Sequence, residues 1–202
     1  KGRDSKSSLT LERLVENKIH MALRASGLSE TMTYSFYGKE DAQKLGFSEE
    51  ILGKPVELSN PMSQDQCIMR QSIVPNLLKS VQYNLSRNVN DIALYEVGVV
   101  FRAGEQGSKA KEIDRIAGVL SGSMFEQAWN VDAQGFDFFD IKGVVENVLE
   151  HLNVKKIRYK EADPQKYGQL QPGRCAEVYS AGNLVGWLGE IHPKSLEILG
   201  ID

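Results

Sequence analysis

Apolar residues recur at helical spacing in three long stretches of the chain. Between Leu9 and Ser26, the residues Leu11, Leu14, Val15, Ile19, Met21, Ala22 and Leu23 cover an arc of roughly 200° at about 100° per residue. A surface helix needs only about half of that. Although Glu12 and Lys18 interrupt it, the arc predicts a helix buried on two sides and stopped by Gly27. Such a helix is either central to the core or also meets another subunit. A narrower stripe of Val74, Leu77, Leu78, Val81 and Leu85 lies opposite Lys79, Ser80, Tyr83 and Arg87. It predicts a helix laid on a sheet and opened near Pro75. Phe138, Ile141, Val144, Val145, Val148, Leu149 and Leu152 mark a third helix, over Asp137–Leu152.

Alternation with a period of two marks the strands. In Thr31–Tyr37, Met32, Tyr34 and Phe36 face one way and Thr31, Thr33 and Ser35 the other, as in a strand with one buried face. The longest strand is Asp91–Arg102: Tyr95, Val97, Val99 and Phe101 share one side, and Leu94, Glu96, Gly98 and Arg102 the other. Further strands are expected at Val56–Leu58, Ile113–Ser121 and Lys155–Lys160. Arg174–Ser180 and Leu184–Ile191 flank a hairpin signature, Ala181-Gly182-Asn183. A short helix at Glu40–Leu45, a polar loop at Gly104–Lys109 and a closing helical turn from Pro193 to Gly200 complete the pattern. The order of elements predicts an α+β domain with one mostly antiparallel sheet and helices packed on it. Residues 1–8 read as a flexible lead-in, and 9–202 as the core domain.

Composition removes several chemistries. The 202 residues are 41% apolar and 25% charged, as in ordinary globular chains. Twenty-four Lys and Arg against 27 Asp and Glu give a net charge of -3, which argues against a dedicated nucleic-acid wrapper. Three histidines (His20, His151, His192) and two cysteines (Cys67, Cys175) are too scattered for the usual zinc spacings, so no metal site is expected. A disulfide framework is excluded by the count. There is no GxSxG elbow, GxxxxGK[ST] loop or GxGxxG turn. No run approaches the roughly 18 apolar residues of a membrane span, and the lead-in lacks the apolar core of a signal peptide. The expectation is a soluble cytoplasmic piece of a longer protein, without a membrane partner.

The most informative chemical feature is the strand side that carries Glu96, Gly98 and Arg102. A carboxylate and a guanidinium on so apolar a strand require polar partners, and Gly98 leaves room above the sheet for something to approach. A salt-bridged or solvated sheet face explains the same residues. Arg70, just before the second long helix, is a structural hydrogen-bond donor or an anion or interface contact. Lys156, Arg158 and Lys160 form a basic stripe, either a charge-protected strand edge or a phosphate contact. His192, between Ile191 and Pro193, reads as a turn residue rather than a base.

Several blocks carry a resemblance. Leu58-Ser59-Asn60-Pro61-Met62-Ser63, Met69 to Leu78, Asn84 to Arg87 and Leu94 to Phe101 resemble, in order, the bacterial phenylalanine–tRNA ligase β-chain family. So do Gly27-Leu28 through Phe36, Asp137 to Gly143, Gln171-Pro172-Gly173-Arg174 and Gly186 to Pro193. Together the blocks span about Leu9 to Asp202. The resemblance implies a class II aminoacyl-tRNA synthetase-like fold. Leu9–Tyr37 is similar to the helix and strand of class II motif 1, and Tyr95–Glu105 to the first strand of motif 2.

The departures carry equal weight. Active motif 2 reads Phe-Arg-x-Glu, whereas Phe101-Arg102-Ala103-Gly104-Glu105 brings the Glu one residue late, on the opposite side of an extended chain. The last Arg of the chain is Arg174, so the ATP-clamping Arg of motif 3 is missing here. The resemblance therefore implies a non-catalytic core, with Arg70, Glu96, Gly98 and Arg102 on a vestigial active-site face. In the family an α subunit binds ATP and phenylalanine, with magnesium, and charges tRNA(Phe). Two α and two β chains assemble, joined in part by the motif 1 helices. That makes Leu11, Leu14, Val15, Ile19 and Ala22 interface candidates, toward the α subunit and the second αβ pair. Editing and most tRNA contacts belong to other β-chain domains, and no cofactor is expected on this segment. The alternatives are a free-standing class II-like adenylate-forming ligase, which only Phe101-Arg102 favours, and a tRNA-binding module acting through Lys156, Arg158 and Lys160.

Overall fold

The computed structural model describes residues 10–104, 109–123, 129–130 and 134–201. The expected lead-in at 1–8, Leu9, most of the polar loop after Gly104 and the displaced Glu105 lie outside the described residues.

Helix α1 (Leu11–Ala25) starts at Thr10, whose hydroxyl accepts the Arg13 amide at 3.3 Å, and it stops at Gly27, which adopts φ 84°. Its C-terminal half buries Ile19, Ala22 and Leu23. These pack with Val144 and Val148 of helix α5 (Phe138–His151) and with Tyr95 of strand β4 (Ile92–Arg102). Asn147 of α5 fastens the crossing by donating to the Ala22 carbonyl at 3.2 Å and to Ser26 Oγ at 2.7 Å. The N-terminal half is uncovered: Leu11, Leu14 and Val15 are exposed, as is Met21. The predicted arc is therefore filled by the chain itself only along the C-terminal part of the helix.

Strand β1 (Ser29–Glu30) runs parallel to β4, and β4 pairs antiparallel with β5 (Lys111–Ser121) over its whole length. Helices α1 and α5 cover the β4 side that carries Ala93, Tyr95 and Val97. Helix α4 (Val74–Leu85) brings Leu77, with Ile73 beside it, onto the side that carries Leu94 and Val100. The two sides predicted for β4 thus receive different helices.

The segment between β1 and strand β2 (Phe36–Tyr37) corrects the expectation. Residues 31–35 form no strand, and β2 is only two residues long, paired with β3 (Ile68–Met69). Met32 and Tyr34, on the apolar side of the alternation, are 86% and 71% exposed, while Thr31 and Thr33 turn inward. The reason is the charge beneath: buried Glu96 and Arg70 need hydroxyl and amide partners, which the Thr side supplies and the Met/Tyr side cannot.

Two short helices, α2 (Asp41–Lys44) and α3 (Glu49–Leu52), follow. They build a second core of Tyr37, Ala42, Leu45, Phe47, Leu52 and Ile68 with Leu78 of α4. The predicted strand at Val56–Leu58 is reduced to a bridge between Glu57 and Ile68. Helix α5 opens with a capping box: Asp137 accepts from Phe139 and Asp140 amides at 2.7 and 3.1 Å, and Asp140 accepts the Asp137 amide at 2.7 Å.

Strands β6 (Ile157–Glu161), β7 (Leu170–Ser180) and β8 (Asn183–Ile191) form an antiparallel sheet in that order. The β7–β8 hairpin turns on Ala181 and Gly182, at φ 49° and 89°; two successive left-handed residues match the twist of the flanking strands. Helix α6 (Pro193–Leu199) is capped by His192, whose Nδ1 accepts the Lys194 amide at 3.1 Å, and it ends at Gly200 with φ 63°. The pairing is mostly antiparallel as expected, but the described strands form three sheets rather than one. Cys67 and Cys175 are both free thiols.

Candidate functional site

The polar side of β4 is closed from within. Arg70 follows β3 and is 3% exposed; Glu96 on β4 is equally buried. Arg70 Nη1 donates to Glu96 Oε1 at 2.5 Å, and Arg70 Nε donates to the Val99 carbonyl at 2.8 Å. Thr33 completes the set. Its hydroxyl donates to Glu96 Oε2 at 2.7 Å and accepts from Arg70 Nη1 at 3.2 Å, while its amide donates to Glu96 Oε2 at 3.2 Å. Both carboxylate oxygens are therefore partnered, and a buried charge pair persists only when its remaining hydrogen bonds are satisfied in this way.

Gly98 does leave room above the sheet, as its position in the strand suggests, but the room is taken by Arg70. A Cβ at residue 98 would collide with Arg70 Nη2 and stand 3.2 Å from Glu96 Oε1. Gly98→Ala is accordingly expected to cost about 1–3 kcal/mol of stability, read as a lowered urea midpoint with unchanged slope. A midpoint equal to that of the parent would mean that Arg70 does not occupy this space.

Arg102 shares the β4 side with Glu96 but does not pair with it. Its Nη2 donates to the Ile51 carbonyl at 2.5 Å, and its Cδ lies against Gly53, where a Cβ would stand 3.1 Å away and φ is 72°. Its Nε is buried and has no hydrogen-bond partner among the described residues. Arg115, opposite Gly98 on β5, is held below the usual guanidinium range by burial and by the charge of Arg102. Gln71, next to Arg70, donates from Nε2 to the Gly53 carbonyl at 2.6 Å, and its amide donates to Tyr37 Oη at 2.9 Å. Burial pushes the Tyr37 hydroxyl up from its ordinary value. A cleft of about 350 Å³ lies beside these residues, lined in part by Lys39, Glu49, Lys54 and Gln71.

The structure thus brings Arg70, Glu96 and Gly98 together and leaves Arg102 apart. Thr33 is the member that reading the sequence missed. Its signal is the row Thr31-x-Thr33-x-Ser35, a hydroxyl-bearing side in a segment otherwise apolar.

Among the interface candidates, Ile19 and Ala22 are 8% and 0% exposed and pack against α5 and β4 within the chain itself. Leu11, Leu14 and Val15 are 77%, 45% and 38% exposed. In the basic stripe, Arg158 and Lys160 lie on β6 and are exposed. Lys156 falls outside the alternation: it precedes the strand with φ 56°, and its carbonyl accepts the Ala181 amide of the hairpin turn at 3.2 Å.

Comparison with known proteins places this arrangement. The chain is similar to the phenylalanine--tRNA ligase beta subunit of Bacillus subtilis (strain 168), 38% identical over 194 residues that make up 94% of this chain and 23% of that protein. It is 34% identical over 201 residues to the same-named subunit of Bacillus cereus, covering 99% of this chain and 24% of that protein. The chain therefore spans about a quarter of the length of these relatives. Its fold is similar to that of pyrrolysyl-tRNA synthetase from Desulfitobacterium hafniense, with a TM-score of 0.68 at 17% identity over 94% of this chain and 62% of that one. That likeness shows an aminoacyl-tRNA synthetase fold of class II. A family model described as the phenylalanyl tRNA synthetase beta chain CLM domain matches residues 1–202. The chain belongs to the phenylalanyl-tRNA synthetase beta chain CLM domain family.

Proposed function

We propose that this chain is the non-catalytic core of a phenylalanine–tRNA ligase β subunit, and that it supports assembly with an α subunit that charges tRNA(Phe) in the cytoplasm. The observation that carries the reading is the closure of the polar β4 side: the guanidinium and carboxylate that could meet a substrate are spent on each other and on Thr33, above a glycine already filled. Among the described residues, no group of three or more His, Cys, Asp or Glu side chains is placed to hold a metal ion. Arg70 and Glu96, buried and already partnered, are not free to hold a nucleotide or its metal ion.

Assembly is supported by what the chain leaves uncovered. Leu11, Leu14 and Val15 on α1, and Met32 and Tyr34 on the segment beyond β1, are apolar and exposed. The chain reverses at Gly27, so that His20 of α1 and Glu30 of β1 stand 3.5 Å apart. Helix and segment are thus successive parts of one helix–strand hairpin, with exposed apolar residues on each arm. Exposed apolar surface of this kind marks an interaction site.

The test uses whole subunits. A β chain prepared without α is expected to give no phenylalanine-dependent exchange of pyrophosphate into ATP, and the co-expressed αβ enzyme to give it. Exchange by β alone would overturn the reading.

A further inference from the structure

We propose that the exposed face of β6 and β7 is a contact surface for the phosphate backbone of RNA, with Arg158 and Lys160 as its cations. The proposal rests on the reading that the chain works in a tRNA ligase, and it adds a binding surface to what was read as a passive core.

Four of the six residues at 155–160 are cationic, and the two between them, Ile157 and Tyr159, carry no charge, in a chain whose net charge is -3. The antiparallel register sets Arg158 opposite Tyr179 and Lys160 opposite Glu177. Directly opposed residues share a face of the sheet, so Arg158, Lys160, Tyr179 and Glu177 stand on one side. The only carboxylate among them, Glu177, is bound to other partners. Glu177 accepts from Tyr179 Oη at 2.6 Å, from Tyr167 Oη at 2.8 Å and from Lys166 Nζ at 3.3 Å. Burial alone would raise its pKa, but these three donors outweigh burial and hold it below the ordinary carboxylate range. Among the described residues, neither Arg158 nor Lys160 has an acidic partner.

The face is also ordered. The Lys160 ammonium lies 4.5 Å from the centre of the Tyr179 ring, and that ring is fixed by its bond to Glu177. The ammonium of Lys160 is therefore held over an ordered ring while the residue stays exposed. Residues two apart on a strand stand about 6.6 Å apart, which suits two successive phosphates of one extended strand. Leu184 lies opposite Tyr179 on β8 and is 44% exposed; it continues the face with apolar surface against which a sugar can rest. Exposed cations side by side on a strand suit a phosphodiester chain, which is bound by charge neutralisation. A protein partner would instead call for a buried anchor.

The test uses the complete αβ enzyme carrying Arg158→Gln and Lys160→Gln, with fluorescently labelled tRNA(Phe) titrated over a range of KCl. Two lost phosphate contacts are expected to weaken binding at low salt on the order of tenfold, and to flatten the plot of log affinity against log salt by about 1.4–1.8. The charge-preserving pair Arg158→Lys and Lys160→Arg is expected to bind like the parent. Sedimentation and phenylalanine-dependent pyrophosphate exchange should stay at parent values. Unchanged affinity and slope in the Gln pair would overturn the proposal. Loss of αβ assembly in the Gln pair would also overturn it, since the face would then be a protein interface. Failure of the broader reading is distinguishable, because the parent β chain would then neither assemble with α nor support exchange.

Discussion

Glu96→Gln is expected to destabilise the fold by about 3–5 kcal/mol, because it leaves the Arg70 guanidinium buried without a counter-charge. The shape of the side chain is nearly kept, so the loss is not one of packing. Arg70 and Glu96 have side chains 4% and 3% exposed, and no solvent reaches in to take over the role of the carboxylate. Thr33 suffers as well: its hydroxyl and amide both donate to the oxygen that the amide group would replace or weaken. Arg70→Met should cost a similar amount from the other side, since Glu96 would keep Thr33 but lose its cation. Removing both charges together, as Arg70→Met with Glu96→Gln, is expected to cost less than the sum of the single changes, with a coupling on the order of 1–3 kcal/mol. Urea unfolding of the four proteins measures this cycle. Single changes worth less than about 1 kcal/mol, the size typical of exposed pairs, would show that water reaches the pair and that the β4 side is open to ligands.

The second large effect is expected at α1. Leu11→Glu with Leu14→Glu in the whole β chain should leave the fold intact and abolish association with α. Neither residue belongs to a buried cluster, and both are exposed, so surface substitutions there should move stability by less than about 0.5 kcal/mol. If the two are anchors of an interface, each is worth about 2 kcal/mol or more, and together they should weaken assembly by at least 100-fold. Sedimentation of mixed subunits reads the association directly, and the far-ultraviolet circular dichroism of the variant checks that the fold persists. Full-strength assembly by the double variant would place the subunit contact elsewhere. By contrast, Ala22 is unsuited to such a test. It is fully buried against α5, and a larger residue there would strain the α1–α5 crossing rather than probe a partner.

Helix α1 divides into two halves with different surroundings. The C-terminal half of α1 closes the chain's own core through Ile19, Ala22 and Leu23, and Asn147 bolts it to α5. The N-terminal half holds its leucines in solvent. The breadth of the apolar arc was legible in the sequence, but the arc is an angular property and says nothing of where along the axis it is covered. The candidate site shows the same limit. Glu96 and Arg102 share a strand side, but six residues set them about 20 Å apart, so each needs a partner from another segment. Their actual partners are Arg70 and the Ile51 carbonyl. Ionic pairing is decided by which segments the fold brings together, and no local period encodes that.

What the sequence determined by itself is the set of elements with strong local causes. Helices α1, α4 and α5 follow from apolar residues at a spacing of three and four, strand β4 from alternation, and the β7–β8 hairpin from Ala181-Gly182-Asn183, where Gly182 takes the left-handed backbone without steric cost. The ordered family blocks, matched now over the whole chain, were equally legible. The tertiary structure alone decided which side of each pattern is buried. At residues 31–35 it reversed the expectation and put Thr33 inward and Tyr34 outward, because a buried ion pair needs hydrogen bonds more than it needs apolar cover. Periodicity reports which residues share a face; what that face meets is a matter of long-range contact, and there the cost of leaving a buried charge unsatisfied outweighs the gain from burying a methionine and a tyrosine.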